Sequence, residues 1–365
     1  MQDIQIKRIW FFLLLITNCF YACENVSQST LPSARGASGE IILVMDSIGW
    51  ESSLGDELRS TFMKAIPGLP QSEPYFDLRY VSPSKLNSVL KSAKLMIFVT
   101  TLDNQAAEGK MMQTFFSESS IKRIQQEPNL HMYLKEDEYA QGQEVLYLFG
   151  KTEEGLIDYV QKNRERIRQH YLEITLKNIT QNIYKSKEQH SLSQQLLKNY
   201  GFSIRVPYGY ELVPLGDTVE NFVWLRQLGD IDKSIVITFK DYTSEQAFNP
   251  TNILAFRENQ LGKYIADDPE IRMTLQDEVP VLFDSLSFEN RFAVEARGLW
   301  RMSTISMGGG FLSYTFVDER LNRLYYIEGF VYRPGGKKRF HMREIEAILH
   351  TFRLSGEEAA HGKNS

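Results

Sequence analysis

Residues 40–46 read EIILVMD, and this short apolar run decides the class of the fold. A strand that is apolar along nearly its whole length is typical of a sheet that is covered on both faces, as parallel sheets are. The following segments extend the pattern. Apolar residues recur at helical spacing over residues 54–66, residues 76–81 (FDLRYV) alternate as a strand, and residues 95–102 (LMIFVTTL) form a second apolar run.

The remaining segments of the first half continue this alternation. Residues 86–93 and 109–126 have helix composition, and residues 131–134 and 144–149 indicate a final pair of strands. Strands that alternate with helices predict an α/β domain over residues 39–150, with a sheet that is at least partly parallel.

A different pattern follows in the second half. A long amphipathic helix begins at Thr152 and occupies the connecting residues 151–190. Strands are then predicted at residues 202–206, 222–227, 234–242, 293–303, 310–318 and 324–332, with helices at 252–265 and 342–352. Consecutive alternating strands predict an α+β domain over residues 191–355, built on an antiparallel sheet. Residues 356–365 are predicted to be a disordered tail.

The N-terminus has the plan of a lipoprotein signal peptide over residues 1–22. Lys7 and Arg8 precede a short apolar stretch, and Ala22 stands directly before Cys23. The Cys23 thiol is therefore the predicted lipidation site, with Cys19 as the weaker candidate. Residues 23–38 are polar and small, so they predict a flexible tether. These features predict a lipid-anchored cell-envelope protein at the outer membrane, facing the periplasm.

The cysteine count and the net charge argue against several kinds of site and partner. The chain has two cysteines, and both are assigned to the signal and the anchor, which leaves no thiol for a disulfide, a metal or a nucleophile. The net charge is −5, and loss of residues 1–22, which carry a net +1, leaves −6. A mildly acidic surface argues against nucleic acid as a partner. The lipid at Cys23, rather than surface charge, is expected to provide membrane attachment.

No motif for catalysis, a metal or a cofactor stands out. The six histidines have no ligand spacing such as HExxH, and the chain has no GxSxG motif. The glycine run 308–310 is followed by a strand rather than a helix, so it predicts a mobile connection between strands and not a phosphate-binding loop. We therefore predict no catalytic residue, no metal ligand and no cofactor.

Two segments are candidates for binding a partner. The first is PGLPQSEPYF at residues 67–76, called the proline segment below, with candidate residues Pro67, Pro70, Glu73, Pro74 and Phe76. Its prolines stiffen the chain, which suits either a recognition surface or a rigid crossover between a helix and a strand.

The second candidate segment is the basic turn RPGGKKR at residues 333–339. Its cations Lys337, Lys338 and Arg339 suit lipid head groups or an acidic partner. The alternative is a solvated turn that keeps one end of the sheet soluble.

Several of these stretches resemble an uncharacterised lipoprotein family of Bacteroidetes-type bacteria, known only as a domain of unknown function. The resemblance rests on the signal peptide, PSARGASGEIILVMD (32–46), PGLPQSEPYFD (67–77) and YYIEGFVYRPGGKKRF (325–340). It implies a cell-envelope setting and brings no activity or ligand. The second half is similar, in the order of its elements alone, to the PsbP-type α/β/α sandwich, and this similarity carries no function.

These observations favour a non-enzymatic binding or assembly factor that contacts another envelope protein. One alternative is a carrier of a small molecule or lipid in a groove between the domains. Another is an envelope hydrolase without a recognisable motif, in which Asp46, Glu73 and Asp77 supply an acid/base pair of carboxylates.

Overall fold

The computed structural model describes residues 31–357 except 128, 186, 216–220, 266–269 and 305. The predicted signal peptide, Cys23 and residues 358–365 of the predicted tail lie outside the described residues.

The first domain is built on a five-stranded sheet. Its strands are β1 (Glu40–Val44), β2 (Asp77–Val81), β3 (Leu95–Thr101), β4 (Met132–Glu136) and β5 (Glu144–Gly150). They lie in the order β2-β1-β3-β5-β4. β1 pairs in parallel with β2 and β3, β3 pairs in parallel with β5, and β4 forms one edge, antiparallel to β5. The predicted, partly parallel sheet is confirmed.

Helices cover both faces of this sheet. They are α1 (Ser47–Trp50), α2 (Ser53–Phe62), α3 (Ser88–Lys91), α4 (Ala107–Gln113), α5 (Glu118–Gln126) and α6 (Glu153–Ile183). On one face α2 and α6 bury Leu58 and Val160, and on the other α4 and α5 bury Met112 and Ile124. Because both faces are covered, β1, β3 and β5 are apolar along most of their length.

The second domain is built on an antiparallel sheet. Its strands are β6 (Phe202–Ser203), β7 (Glu211–Leu212), β8 (Phe222–Gln227), β9 (Asp232–Asp241), β10 (Met273–Leu275), β11 (Leu282–Phe288), β12 (Arg291–Met302), β13 (Gly308–Asp318), β14 (Arg323–Tyr332) and β15 (Arg353–Leu354). The main sheet has the order β10-β12-β13-β14-β9-β8-β7, and β11 pairs with β12 beside β10. β6 and β15 pair separately. The predicted antiparallel sheet is also confirmed.

In the described part of the chain, three α-helices cover the two faces of the second sheet: α7 (His190–Tyr200), α8 (Pro250–Tyr264) and α9 (Arg339–Leu349). On one face α7 and α9 bury Leu196 and Ile345, and on the other α8 buries Ile253 and Leu261. The mixed class, α/β followed by α+β, therefore holds for the described residues.

The glycine run is not a connection between strands, so that prediction is wrong. Gly308, Gly309 and Gly310 are the first residues of β13 and pair with Arg301, Trp300 and Leu299 of β12. A Cβ on Gly309 would lie 2.0 Å from the Val331 carbonyl oxygen. Close packing of the strands, rather than mobility, explains the glycines.

Three other elements differ from the prediction. The helix expected over residues 109–126 is two helices, because Ser117 begins α5 as its N-cap. β11 was not predicted, since its sequence LFDSLSF mixes polar and apolar residues at a sheet edge. The last helix begins at Arg339, three residues earlier than expected.

Part of the predicted tether belongs to the first domain. The Ala34 N–H donates to the Gln141 carbonyl at 2.8 Å, and the Arg35 N–H donates to the Ser92 carbonyl at 2.8 Å. The prediction of a flexible tether is therefore wrong for residues 32–35, because their backbone groups are paired. Within the part of the chain that the structure describes, no helix is long and apolar enough to cross a bilayer.

Candidate functional site

The proline segment connects α2 to β2 and contacts the second domain on its way. The Ile66 N–H donates to the Glu73 carbonyl at 2.8 Å, so the two ends of the segment meet. Between them Gly68 adopts φ 74°. A Cβ on Gly310 of β13 would lie only 2.6 Å from the Gly68 carbonyl oxygen. The domains therefore touch backbone to backbone here, and a side chain at Gly310 would push them apart.

Glu73 caps the N-terminus of α9 from the other domain. Its carboxylate accepts hydrogen bonds from the backbone N–H groups of Lys338 at 2.6 Å and Arg339 at 3.2 Å. Lys338, the N-cap residue, makes no side-chain cap of its own. A carboxylate at this position satisfies free N–H groups and complements the helix dipole. This contact explains why α9 begins earlier than its sequence predicts.

Two arginines of α9 complete the contact between the domains. The Arg339 guanidinium donates to the Pro74 carbonyl at 2.7 Å and pairs with Asp77. The Arg343 guanidinium donates to the Tyr75 carbonyl and lies 5.1 Å from the centre of the Phe76 ring. The basic turn and the proline segment are therefore bound to each other.

This arrangement corrects the predicted partner-binding set. Glu73, Phe76, Lys338 and Arg339 are buried between or within the domains, so the prediction that they bind a partner is wrong for them. Pro67 and Pro74 are half-buried, whereas Pro70 and Lys337 are exposed. For these four residues, a contact with a partner stays a prediction.

A cleft of about 430 Å³ opens beside this contact, between α6 of the first domain and β11, β12 and α9 of the second. Apolar side chains line part of it: Ile66, Leu69, Leu172, Leu176, Leu286 and Met342. Charged or titratable side chains line the rest: Glu165, Glu173, Asp284, Glu295, Arg297, Arg339, Arg343, Glu346 and His350. The inter-domain cleft is therefore amphipathic, and its volume falls within the range of ligand pockets.

An ion network forms the polar wall of the inter-domain cleft. Arg297 pairs with Glu295 at 2.6 Å and with Glu346 at 2.7 Å. Burial acts to raise the pKa of Glu346, but the charges of Arg297, His350 and Arg343 hold that pKa below its ordinary value. Glu346 is therefore ionised at neutral pH, and Arg297 is held between two carboxylates.

Arg343 is the least satisfied cation in the inter-domain cleft. Its residue is 4% exposed, and its Nη1 is buried without a hydrogen-bond partner among the described residues. Burial, together with the Arg339 charge beside it, lowers the pKa of Arg343 to about 10. The group stays protonated at neutral pH, although its surroundings stabilise its charge poorly.

Three residues that the sequence analysis did not single out form a hydrogen-bonded chain at the inter-domain cleft. The Tyr314 hydroxyl lies 3.4 Å from His350 Nε2, and His350 Nδ1 lies 2.9 Å from Glu289. Burial raises the pKa of Tyr314 well above its ordinary value. The hydroxyl therefore remains protonated and can donate a hydrogen bond, but it is not an activated nucleophile. No spacing in the sequence marks this chain of contacts.

The carboxylates predicted as an acid/base pair are not brought together for catalysis. Asp46 accepts from the Gly49 N–H at 2.8 Å and caps α1, beyond the C-terminal end of β1. Asp77 begins β2 level with Glu40. In parallel strands this places Asp46 and Asp77 roughly 20 Å apart along the strand direction. Glu73 and Asp77 both contact α9, and neither lines the inter-domain cleft.

The described residues contain no group of three or more His, Cys, Asp or Glu side chains that could hold a metal ion. In the inter-domain cleft the carboxylates Glu295 and Glu346 face Arg297, and His350 contacts Glu289 and Tyr314. These contacts suit the binding of a polar group rather than a metal.

Each domain matches the family model of a domain of unknown function. Residues 34–184 match the model described as domain of unknown function DUF8532, and residues 189–351 match that of DUF4837. Together the two matches support an uncharacterised family, and they bring no activity, ligand or site residue. No curated protein matches the chain.

Solved structures resemble parts of the chain only weakly. The Ran-binding protein Mog1p of Saccharomyces cerevisiae is 9% identical, with a TM-score of 0.29, and the match covers 43% of this chain and 92% of Mog1p. A point mutant of Mog1 gives a TM-score of 0.27 at 9% identity, covering 44% and 93%. A protein of Bacteroides thetaiotaomicron gives 0.24 at 9% identity, covering 43% and 46%. Similarity at this level carries no argument.

Proposed function

We propose that this chain is a lipid-anchored binding protein of the cell envelope, and that it holds a small amphipathic molecule between its two domains without changing it chemically. One observation carries the proposal, namely the inter-domain cleft of about 430 Å³ with apolar side chains on one part of its wall and an ion network on the other. Such a wall suits a ligand with a hydrocarbon part and a charged or hydrogen-bonding part.

The charged wall supports binding more than catalysis. Arg297 is already neutralised by two carboxylates, and Tyr314 is held protonated by burial. Arg343 lines the inter-domain cleft, and because burial lowers its pKa, an anionic or carbonyl group of a ligand would stabilise its charge. The apolar side chains of α6 would cover the rest of the molecule.

The anchor is the second part of the proposal. Cys23 follows Ala22 at the end of an apolar stretch, as in a lipoprotein signal peptide. We propose that acylated Cys23 holds the protein to the outer membrane, facing the periplasm. We also propose that the second domain is of the PsbP type and that the partner of this chain is another protein of the envelope. Pro70 and Lys337 are the predicted partner residues that remain exposed.

The test for the inter-domain cleft is native mass spectrometry of the protein purified from membranes. Gln169, on α6, lines the cleft and is exposed, whereas Gln161 on the same helix is exposed but does not line it. We expect a small molecule to co-purify with the parent and with Gln161→Trp, and to be lost from Gln169→Trp. Its absence from all three proteins, or equal retention by all three, would contradict the proposal.

The anchor has its own matched test. Cells are fed an alkyne analogue of palmitate, and the label on the protein is read after the two single substitutions Cys23→Ala and Cys19→Ala. Loss of label in Cys23→Ala alone is expected. Label that is unchanged in Cys23→Ala, or lost only in Cys19→Ala, would overturn the assignment of Cys23.

A further inference from the structure

A second cavity, of about 710 Å³, lies at one end of the second sheet and shares no lining residue with the inter-domain cleft. We call it the hairpin cavity, because it is bounded by the turn between β11 and β12 and by the loop between β13 and β14. Glu289 and Asn290 in the turn and Asn322 in the loop have positive φ angles of 48°, 65° and 47°. These tight turns bring the charged ends of β12 and β13 to one place.

Asp318, at the end of β13, is the first unsatisfied group in the hairpin cavity. The residue is 3% exposed. Its Oδ1 accepts a hydrogen bond from the Arg320 N–H at 3.0 Å and also pairs with the Arg320 guanidinium at 3.4 Å, but its Oδ2 is buried and has no partner among the described residues. A buried carboxylate oxygen without a partner is costly, which points to a donor that is bound in another state of the protein.

Arg291, at the start of β12, is the complementary group. Its Nη2 pairs with Glu357, whereas its Nη1 is buried and has no partner in the part of the chain described. No ion pair joins Arg291 to Asp318 within that part, although both residues line the hairpin cavity. Each group is thus paired through one of its atoms, and the wall keeps one hydrogen-bond acceptor, Asp318 Oδ2, and one donor, Arg291 Nη1, without a partner in the part of the chain described.

Aromatic side chains form the apolar part of the same wall. Phe248 and Phe292 pack edge to face with ring centres 5.1 Å apart, and the Tyr242 ring lies 6.2 Å from Phe248. Phe292 is 57% exposed. An exposed ring beside two charged groups suits a ligand that has an apolar side chain as well as charges.

We propose that the hairpin cavity binds an α-amino acid with an apolar side chain, as its zwitterion. The ammonium group of the ligand contacts Asp318, its carboxylate contacts Arg291, and its side chain packs on Phe248 and Phe292. A simple anion would leave Asp318 Oδ2 without a donor, and a simple cation would leave Arg291 Nη1 without an acceptor. A ligand that carries both charges supplies a partner to both of these buried atoms.

Calorimetric titration of the purified protein tests this with three probes: L-phenylalanine, phenethylamine, which lacks the carboxylate, and 3-phenylpropanoate, which lacks the ammonium group. We expect phenylalanine to bind at least about tenfold more tightly than either analogue. Equal affinities for the three probes, or no saturable binding of phenylalanine up to about 10 mM, would overturn the proposal.

A pair of matched variants provides a second test of the proposal. Asp318→Asn keeps the shape of the side chain and removes its charge, and Asp241→Asn changes an exposed aspartate at the same end of the sheet that does not line the hairpin cavity. Asp318→Asn should weaken phenylalanine binding at least about tenfold, and Asp241→Asn should leave it unchanged. Equal binding by both variants contradicts the proposal. If Asp318→Asn does not fold, the comparison of probes on the parent decides.

Discussion

The pair of Arg257 with Glu328 and the network around Arg297 both lie in the second domain, and these two arginine–glutamate clusters differ in their access to water. Arg257 of α8 and Glu328 of β14 pair through two hydrogen bonds of 2.7 and 2.8 Å, and both side chains are 0% exposed. Arg297 of the inter-domain cleft pairs with Glu295 and Glu346, and these three side chains are 21%, 14% and 15% exposed. The ring of Phe311 lies under Arg257 and also lines the cleft, so it stands between the two clusters.

The difference separates a structural pair from a network that can respond to a ligand. Among the described residues Arg257 has one carboxylate partner, Glu328, which also accepts a hydrogen bond from Tyr326, and loss of that carboxylate would leave the buried cation without this counter-ion. Arg297 has two carboxylate partners, and an open cavity lies beside it. Arg297 can therefore lose one carboxylate partner, or exchange it for a ligand group, with a smaller loss of folding free energy than Arg257.

The largest effect is expected for Glu328→Gln. Removing the charge takes away the counter-ion that Arg257 has in the described part of the domain, so the free energy of unfolding should fall by about 3–5 kcal/mol. Urea unfolding followed by tryptophan fluorescence measures it. The control is the double variant Arg257→Met with Glu328→Leu, which removes both charges and should recover most of the loss. A cost below about 1 kcal/mol for the single variant would contradict the structural assignment.

The second prediction concerns Glu346→Gln in the inter-domain cleft. Arg297 keeps Glu295 and gains water, so the free energy of unfolding should fall by only about 2 kcal/mol. The same urea experiment measures it beside Glu328→Gln. If the two variants lower the free energy of unfolding by equal amounts, exposure to the cleft does not distinguish the two clusters, and the comparison fails.

The sequence predicts the sheets better than it predicts either cluster. Residues 40–46 and 95–102 are apolar enough to be recognised as covered strands, and the alternation in residues 324–332 indicates an antiparallel strand. These signals are local. Glu328 reads as one polar residue in an apolar strand, and only the packing of α8 on β14 shows that Arg257, 71 residues away, is its partner.

The contact between the two domains is a harder case, for the same reason. Glu73 and Arg339 stand out in the sequence as members of unusual segments, the proline segment and the basic turn. The two residues are 266 positions apart, so the sequence does not show that Glu73 caps the helix that Arg339 begins. The sequence therefore points to the right residues and predicts the wrong role. His350 and Tyr314 have no local signal at all, because their contact depends on the position of α9 on the sheet.

The third prediction is a pH dependence that belongs to the inter-domain cleft. The pKa of Glu346 is below its ordinary value of 4.5 in the folded protein, so the ionised group contributes stability at pH values above 4.5. That contribution is lost as the pH falls through the lower pKa of the folded state. The difference in unfolding free energy between the parent and Glu346→Gln should therefore be constant near neutral pH and shrink below pH 4.5. A difference that grows on acidification has the opposite sign and would contradict it.

The smallest effect is expected for Glu73→Gln, at the contact between the domains. The amide keeps one acceptor for the Lys338 and Arg339 N–H groups but loses the charge that complements the helix dipole, so the free energy of unfolding should fall by about 1 kcal/mol. Glu136→Gln, an exposed residue at the end of β4, is the matched control and should change it little.

This variant sharpens the comparison because Glu73 is intermediate in character between the two arginine–glutamate clusters. It is buried like Glu328, yet its partners are backbone N–H groups rather than a guanidinium. Its removal leaves Arg339 paired with Asp77, and Lys338, whose pKa burial lowers and the Glu73 charge raises, keeps its hydrogen bond to the Gly336 carbonyl. A loss as large as that of Glu328→Gln would mean that burial alone sets the cost of removing a carboxylate here. A loss of about 1 kcal/mol would show that the charge of the remaining partner sets it.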